Sequence, residues 1–177
     1  IDDSSLIYHK LNGANITALF PIFQTSPITL ITQENLSTLD SLQNKNIEFS
    51  SNELVNISIK AILKSNNINI HQIAHSFYID KFVLKESDGI VGYVSNQPFY
   101  LDEKNIKYNI FNPKDFGFDF YGDMIFSSKE FVQNNPKITS DFINATKKGW
   151  EYALSNIPST IDLILEKYNT QNKSKES

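Results

Sequence analysis

The chain has 177 residues, with 16 basic and 20 acidic side chains for a net charge of −4, and no cysteine. With no basic cluster, this balance argues against non-specific nucleic-acid binding. The missing cysteine excludes disulfides, thiolate catalysis and cysteine-type zinc sites, while 40% hydrophobic residues support one good core or two small lobes.

In chain order, Asp2-Asp3-Ser4-Ser5 precedes Leu6 to Leu11 and then Asn12-Gly13. Asp or Ser starts a helix and Asn12-Gly13 ends it. The starting residues are capping groups, or they present a helix N-terminus to an acceptor on a ligand. Ile16 to Phe23 alternates as a strand in which Pro21 marks an edge or bulge. Gln24-Thr25-Ser26-Pro27 is a polar break, and Ile28 to Thr32 is a second strand. Ser37 caps a short helix to Leu42, and Asn46 to Phe49 is a strand. A helix over Leu54 to Asn66 carries Val55, Ile59, Ile62 and Leu63 at helical spacing, with Ser50 and Glu53 at capping-box spacing before it. Ile70 to Ala74 is a strand candidate. His75 follows, either as a structural loop residue or as a hydrogen-bonding group for a ligand. Tyr78 to Leu84 is a short helix.

The densest signal runs from Asp88 to Asp123. Asp88-Gly89-Ile90-Val91-Gly92-Tyr93 suits a buried strand that ends near Asn96, and Pro98 suits the first turn of a helix. After a strand over Ile106 to Phe111, the segment Asn112 to Asp123 sets Phe116, Phe118, Phe120 and Tyr121 among glycines and carboxylates. Aromatic faces beside fixed polar groups on irregular backbone are the makings of a small-molecule cleft. Met124 to Phe126 is a strand, and Ser127 or Ser128 caps a helix over Lys129 to Asn134. Pro136 opens a helix to about residue 155 with Ile138, Phe142, Ala145, Gly149 and Tyr152 on one face, Trp150 beside it in the core. Pro158 starts a last helix that buries Ile161, Ile164, Leu165 and Tyr168, and a polar tail follows. The strand–helix alternation predicts an α/β fold.

Gly92-Tyr93-x-x-Asn96-x-Pro98-Phe99, followed by Pro113-Lys114-Asp115-Phe116-Gly117-Phe118-Asp119-Phe120-Tyr121, resembles the type II periplasmic binding proteins of the thiamine-pyrimidine-precursor group, relatives of the nitrate, sulfonate and taurine binders. Gln97 stands where Glu is usual. The run Gly149-Trp150-Glu151-Tyr152-Ala153 and the tail Asp162 to Ser174 look like the members fused to membrane histidine kinases. The resemblance implies two lobes with mixed sheets and flanking helices. The first comprises residues 1–26 and 122–169, the second 33–111, with hinge crossings at 27–32 and 112–121 and a tail at 170–177. The resembled domain is longer at both ends, so the first lobe is expected to be incomplete. Its implied ligand contacts are Asp3, Ser4, Gln24, Ser26, His75, Tyr93, Asn96, Asp119 and Tyr121.

The function this implies is an extracytoplasmic sensor domain of a histidine kinase, on the periplasmic side of a bacterial inner membrane, binding a small polar or heteroaromatic molecule. The alternative is a free binding protein that feeds an ABC transporter permease, and a homodimer covering the exposed face stays open. No cofactor, metal or nucleic-acid partner is expected. Nor is catalysis: His9, His71 and His75 complete no metal motif, and no Ser-His-Asp set or phosphate loop can be assembled. The spacing of Asp115, Asp119 and Asp123 fits an acid–base pair and a solvated loop equally.

Overall fold

The computed structural model describes residues 1–52, 56–75 and 78–175, so Glu53 of the expected capping box, and Ser76 and Phe77 after His75, lie outside the described residues. Helices and strands alternate: α1 (Asp3–Leu11), β1 (Ile16–Phe23), β2 (Ile28–Gln33), a 3-10 turn (Asp40–Leu42), β3 (Asn46–Phe49), α2 (Ile57–Ser65), β4 (His71–Ala74), α3 (Asp80–Val83), β5 (Gly89–Tyr93), α4 (Gln97–Glu103), β6 (Tyr108–Phe111), a 3-10 turn (Pro113–Phe116), β7 (Gly122–Ser128), α5 (Lys129–Asn134), α6 (Pro136–Ser155) and α7 (Ile157–Lys167).

Local chemistry sets several of these ends. The Asp2 carboxylate accepts the Ser5 N–H at 2.8 Å and so caps α1. Gly13 then leaves the helix at φ +87°, a left-handed conformation that glycine adopts without strain. Ser128 caps α5 by accepting the Phe131 N–H. Some expected elements are shorter. The helix expected to Leu42 is a 3-10 turn, and the one expected over Tyr78 to Leu84 is α3. The strand expected from Ile106 begins at Tyr108, because Asn105 turns at φ +55° and the Ile106 N–H still bonds the Leu101 carbonyl at the end of α4.

Contacts divide the chain into two compact units, residues 1–14 with 21–125 and residues 15–20 with 126–177. The first holds a five-stranded mixed sheet in the order β4-β3-β5-β2-β6. β3 pairs in parallel with β4 and β5, and β2 pairs antiparallel with β5 and β6. Successive side chains face opposite sides of a strand. Leu30 and Val91 therefore join Ile47, Phe49, Ile59 and Ile62 in one core under α2, while Ile31 and Ile90 meet Phe82 and Leu101 from α3 and α4 in the other. Each such side chain contributes roughly 1.5–3 kcal/mol by its burial. The crossing expected at 27–32 lies, from Ile28 on, within β2, an inner strand of this sheet.

The units cut the chain elsewhere than the lobes implied by the resemblance. Residues 1–14 and 120–125 group with the sheet through specific bonds: Asp3 accepts the Tyr121 N–H at 2.8 Å, the Ser26 N–H donates to the Phe120 carbonyl at 2.7 Å, and the Met124 N–H donates to the Ile1 carbonyl.

The second unit holds the first part of β1, the last part of β7, and α5, α6 and α7; β1 and β7 pair as a two-stranded sheet. The apolar face expected to be buried on α6 is exposed, from Ile138 and Phe142 to Tyr152 at 62%, as are Ile164 and Tyr168 on α7. Trp150, expected in the core, is 40% exposed. Helical spacing decides which residues share a face; it does not supply the element that covers it.

Candidate functional site

The short link between β1 and β2 is where distant segments meet. The Val94 N–H donates to the Pro27 carbonyl at 2.9 Å, and the Ser26 Oγ accepts the Ile28 N–H at 3.3 Å. Gly122 is buried so closely against this link that a Cβ there would lie 2.7 Å from Pro27 Cδ.

Ser26 and Pro27 border two clefts, both inside the first unit. The first encloses about 350 Å³ and is bordered by Asp2, Ser5 and His9 of the α1 segment, Asn52, Tyr93 and Asp123. The second encloses about 330 Å³ beside Val94, Asn112, Lys114, Phe118, Asp119 and Phe120. Each pairs an apolar surface with a few fixed polar groups, the usual make-up of a small-molecule site.

Tyr93 is placed by its neighbours. The buried Gln97 side chain folds back from the start of α4, and its Oε1 accepts the Tyr93 N–H at 2.8 Å. The ring stays 40% exposed. Its phenol is pushed above the usual tyrosine range, first by burial, then by the negative charges of Asp123 and Asp2.

The start of α1 carries two adjacent carboxylates with different duties. Asp2 accepts both the N–H and the Oγ–H of Ser5, at 2.8 and 2.7 Å. Asp3 is buried and accepts the Tyr121 N–H. Burial raises the Asp3 pKa above the ordinary aspartate value, against the lowering by the Tyr121 and Ser4 hydrogen bonds.

The sequence-predicted residues are therefore only partly gathered. Ser26 and Tyr93 border the first cleft, Ser26 and Asp119 the second. Asp3 and Ser4 border neither; Asp3 anchors the 121 backbone, and Ser4 donates its hydroxyl to Asp3 at 3.4 Å. Gln24 is exposed away from both clefts. The same holds for the Tyr121 ring, 48% exposed. Asn96 marks the start of α4 and donates its N–H to the Tyr93 carbonyl at 3.0 Å. His75 is half-buried at the end of β4, with its N–H on the Phe49 carbonyl at 2.9 Å. Burial lowers its imidazole pKa, opposed by the Glu48 carboxylate and the Val91 backbone.

Sequence reasoning named none of His9, Asn52, Lys114 and Asp123 as a ligand contact, and offered Asp2 and Ser5 only as part of the helix start. Asp2 and Ser5 carry a cap signal that leaves a second role undecided, and only the fold brings Asp123 to their cleft. Among the described residues, no group of three or more His, Asp and Glu side chains could hold a metal ion. No helix among them is long and apolar enough to cross a membrane.

No curated protein sequence matches the chain. Among solved structures it is similar to the periplasmic sulfonate-binding protein SsuA of a putative sulfonate ABC transporter from Methylobacillus flagellatus KT, with TM-score 0.71 and 14% identity over 99% of this chain and 54% of that one. It is also similar to the alkanesulfonate-binding protein SsuA from Xanthomonas axonopodis pv. citri, with TM-score 0.70 and 13% identity over 93% and 59% of the two chains. A third is the ligand-binding component of an ABC-type import system from Staphylococcus aureus, solved with zinc bound, with TM-score 0.65 and 12% identity over 99% and 61%. The chain thus spans between 54% and 61% of the length of these structures. At such identities the likeness establishes the fold, the α/β architecture of periplasmic binding proteins with its mixed sheet and flanking helices. The family model described as NMT1/THI5 like matches residues 2–159, a span that takes in the linings of both clefts except Ile1. The chain belongs to the NMT1/THI5 like family.

Proposed function

We propose that the chain is the ligand-binding domain of an extracytoplasmic receptor, the sensing part of a membrane histidine kinase, and that it takes a small polar or heteroaromatic molecule such as a pyrimidine precursor of thiamine. The observation that carries this reading is the convergence of the α1 start, Ser26 and Tyr93 on one cleft of about 350 Å³. An aromatic face there meets hydroxyl and carboxylate groups on rigid elements. In this cleft Tyr93 supplies apolar surface and Ser26 a polar edge, and in the second cleft Phe120 and Asp119 do the same. Asp3, Ser4, His75, Asn96 and Tyr121 act in support through the hydrogen bonds that hold the neighbouring backbone, and Gln24 has no part in either cleft. No catalytic step is proposed for any of them, and the periplasmic location belongs to the same proposal.

The kinase partner rests on the likeness of Gly149 to Ala153 and of Asp162 to Ser174 to sensor-fused members of the group. A specific observation favours a second reading, a free binding component of an ABC transporter: the SsuA structures that share the fold come from such systems.

A thermal-shift screen over pyrimidines, purines, sulfonates, nitrate and amino acids tests the ligand class. A ligand at about 100 times its Kd adds roughly 2.7 kcal/mol, a shift of about 2–8 °C for domains near this size. A pyrimidine shift is the expected result. A response to sulfonates or nitrate alone moves the chain to that branch, and cooperative melting with no response overturns the small-molecule reading.

A further inference from the structure

We infer that the first cleft selects a positively charged ligand, a protonated amine carried on a small flat body; the inference rests on the reading of that cleft as the binding site. Two main-chain bonds set the charge of the cleft. The Ile1 nitrogen donates to the Met124 carbonyl at 3.4 Å, and the Met124 N–H donates back to the Ile1 carbonyl. This reciprocal pair joins the start of the chain to the start of β7. Asp2 and Asp123, the residues next to it, both border the cleft, and both charges act on the Tyr93 phenol there.

Like charges that share a site disfavour each other unless something offsets them. The protein supplies little. All 16 basic residues of the chain are lysines, so no guanidinium exists anywhere in it. No lysine borders this cleft, and its only basic side chain is His9. Asp2 spends part of its hydrogen-bonding capacity on Ser5, but a carboxylate keeps further lone pairs for a second donor.

The remaining wall fits the same ligand. Tyr93, 40% exposed, borders the same cleft, and both carboxylates act on its phenol. A ring face backed by carboxylates attracts an organic cation through its π-electrons as well as by charge. An anion such as a sulfonate meets two negative groups here and no arginine fork to hold it.

The substitutions that test this leave the backbone alone. Asn is as good an N-cap as Asp, so Asp2→Asn keeps α1. Asp123 sits at φ +43°, in the left-handed region that Asn tolerates. Binding is measured by calorimetry on the 177-residue chain with Ile1 acetylated, so that its α-amino group adds no charge. The probes share one body and differ in charge: benzylamine, benzyl alcohol and benzenesulfonate.

Benzylamine is expected to bind at least about tenfold tighter than the alcohol, with the sulfonate weakest. Asp2→Asn and Asp123→Asn each cut that preference about three- to tenfold, and 0.5 M salt weakens it. Asp115→Asn, an exposed carboxylate away from the cleft, leaves it unchanged. An alcohol or sulfonate that binds as tightly as the amine, no binding of any probe, or a preference that survives both substitutions overturns the inference. If a pyrimidine from the screen binds with no dependence on Asp2 or Asp123, the cleft reading stands and only the charge inference falls. If nothing from either set binds, both fall.

Discussion

Gln97 closes over Gly92: a Cβ at position 92 would stand 2.5 Å from the Gln97 Oε1 that accepts the Tyr93 N–H. The three atoms nearest to it belong to the end of this flexible side chain, so Gly92→Ala displaces the amide and breaks its bond to Tyr93. Gly92→Ala and Gln97→Ala are each expected to lower stability by about 0.5–1.5 kcal/mol. Because both remove the same bond, the double variant is expected to lose little more than either alone. Urea midpoints of the three variants check this. Gln97→Glu keeps an acceptor and is expected to keep most of the stability.

The Asp3 carboxylate ties residue 3 to residue 121 across 118 positions of chain. Its folded pKa is raised, chiefly by burial. The protonated acid is therefore favoured in the fold, and the stability it gives is full below pH 3.8 and lost as pH rises through the folded pKa. Asp3→Asn keeps an oxygen acceptor for Tyr121 and lacks this loss. Its stability relative to the parent is expected to increase from pH 3.5 to pH 7, as read by denaturant midpoints. Asp3→Ala, with no acceptor, is expected to lose about 1–3 kcal/mol at every pH.

His75 titrates in the opposite sense. Burial depresses its pKa from 6.5, Lys81 adds to this, and Glu48 and the Val91 backbone oppose it. The neutral imidazole is the form the fold favours. Its contribution is complete above pH 6.5 and is lost as pH falls through the lower folded pKa. Midpoints measured from pH 7.5 down to pH 5 are expected to fall more steeply for the parent than for His75→Gln. Equal slopes would remove His75 from the acid sensitivity of the domain.

Tyr93→Ala separates binding from folding. A ring 40% exposed contributes little to the core, so a change of about 1 kcal/mol or less is expected in stability. Affinity for any ligand of the first cleft is expected to fall at least about tenfold, as read by calorimetry. Tyr121→Ala removes a ring that borders neither cleft and is expected to change affinity less. The reverse ranking would move the site to the 116–121 segment.

Much of the secondary structure is legible because its signals are local. Asp2, Gly13, Pro98 and Ser128 each act within a few residues of where the sequence places them. The apolar run Gly89 to Tyr93 is a strand buried on both faces, as its composition predicts. The site was less legible, because it depends on who meets whom. The Asp2 to Ser5 start reads as a cap or as a helix N-terminus offered to a ligand, and only the pairing of Ile1 with Met124, 123 positions further on, brings Asp123 to the same cleft. The α6 stripe was correctly grouped by its spacing but wrongly assumed to be covered. Amphipathicity constrains a helix face and says nothing about its partner.

The position of β2 in the sheet also governs how the domain must assemble. It is the second strand to emerge in the chain but sits between the fifth and sixth. Thr29 waits for the Phe111 carbonyl, 82 positions downstream. Contacts of such long sequence separation form late and slow the search for the native state. During synthesis, at about 5–20 residues per second, β2 spends several seconds with both edges bare. A chain that ends just before Tyr108 has β5 to pair with β2 but leaves its other edge bare, an apolar strand open to pairing with another chain.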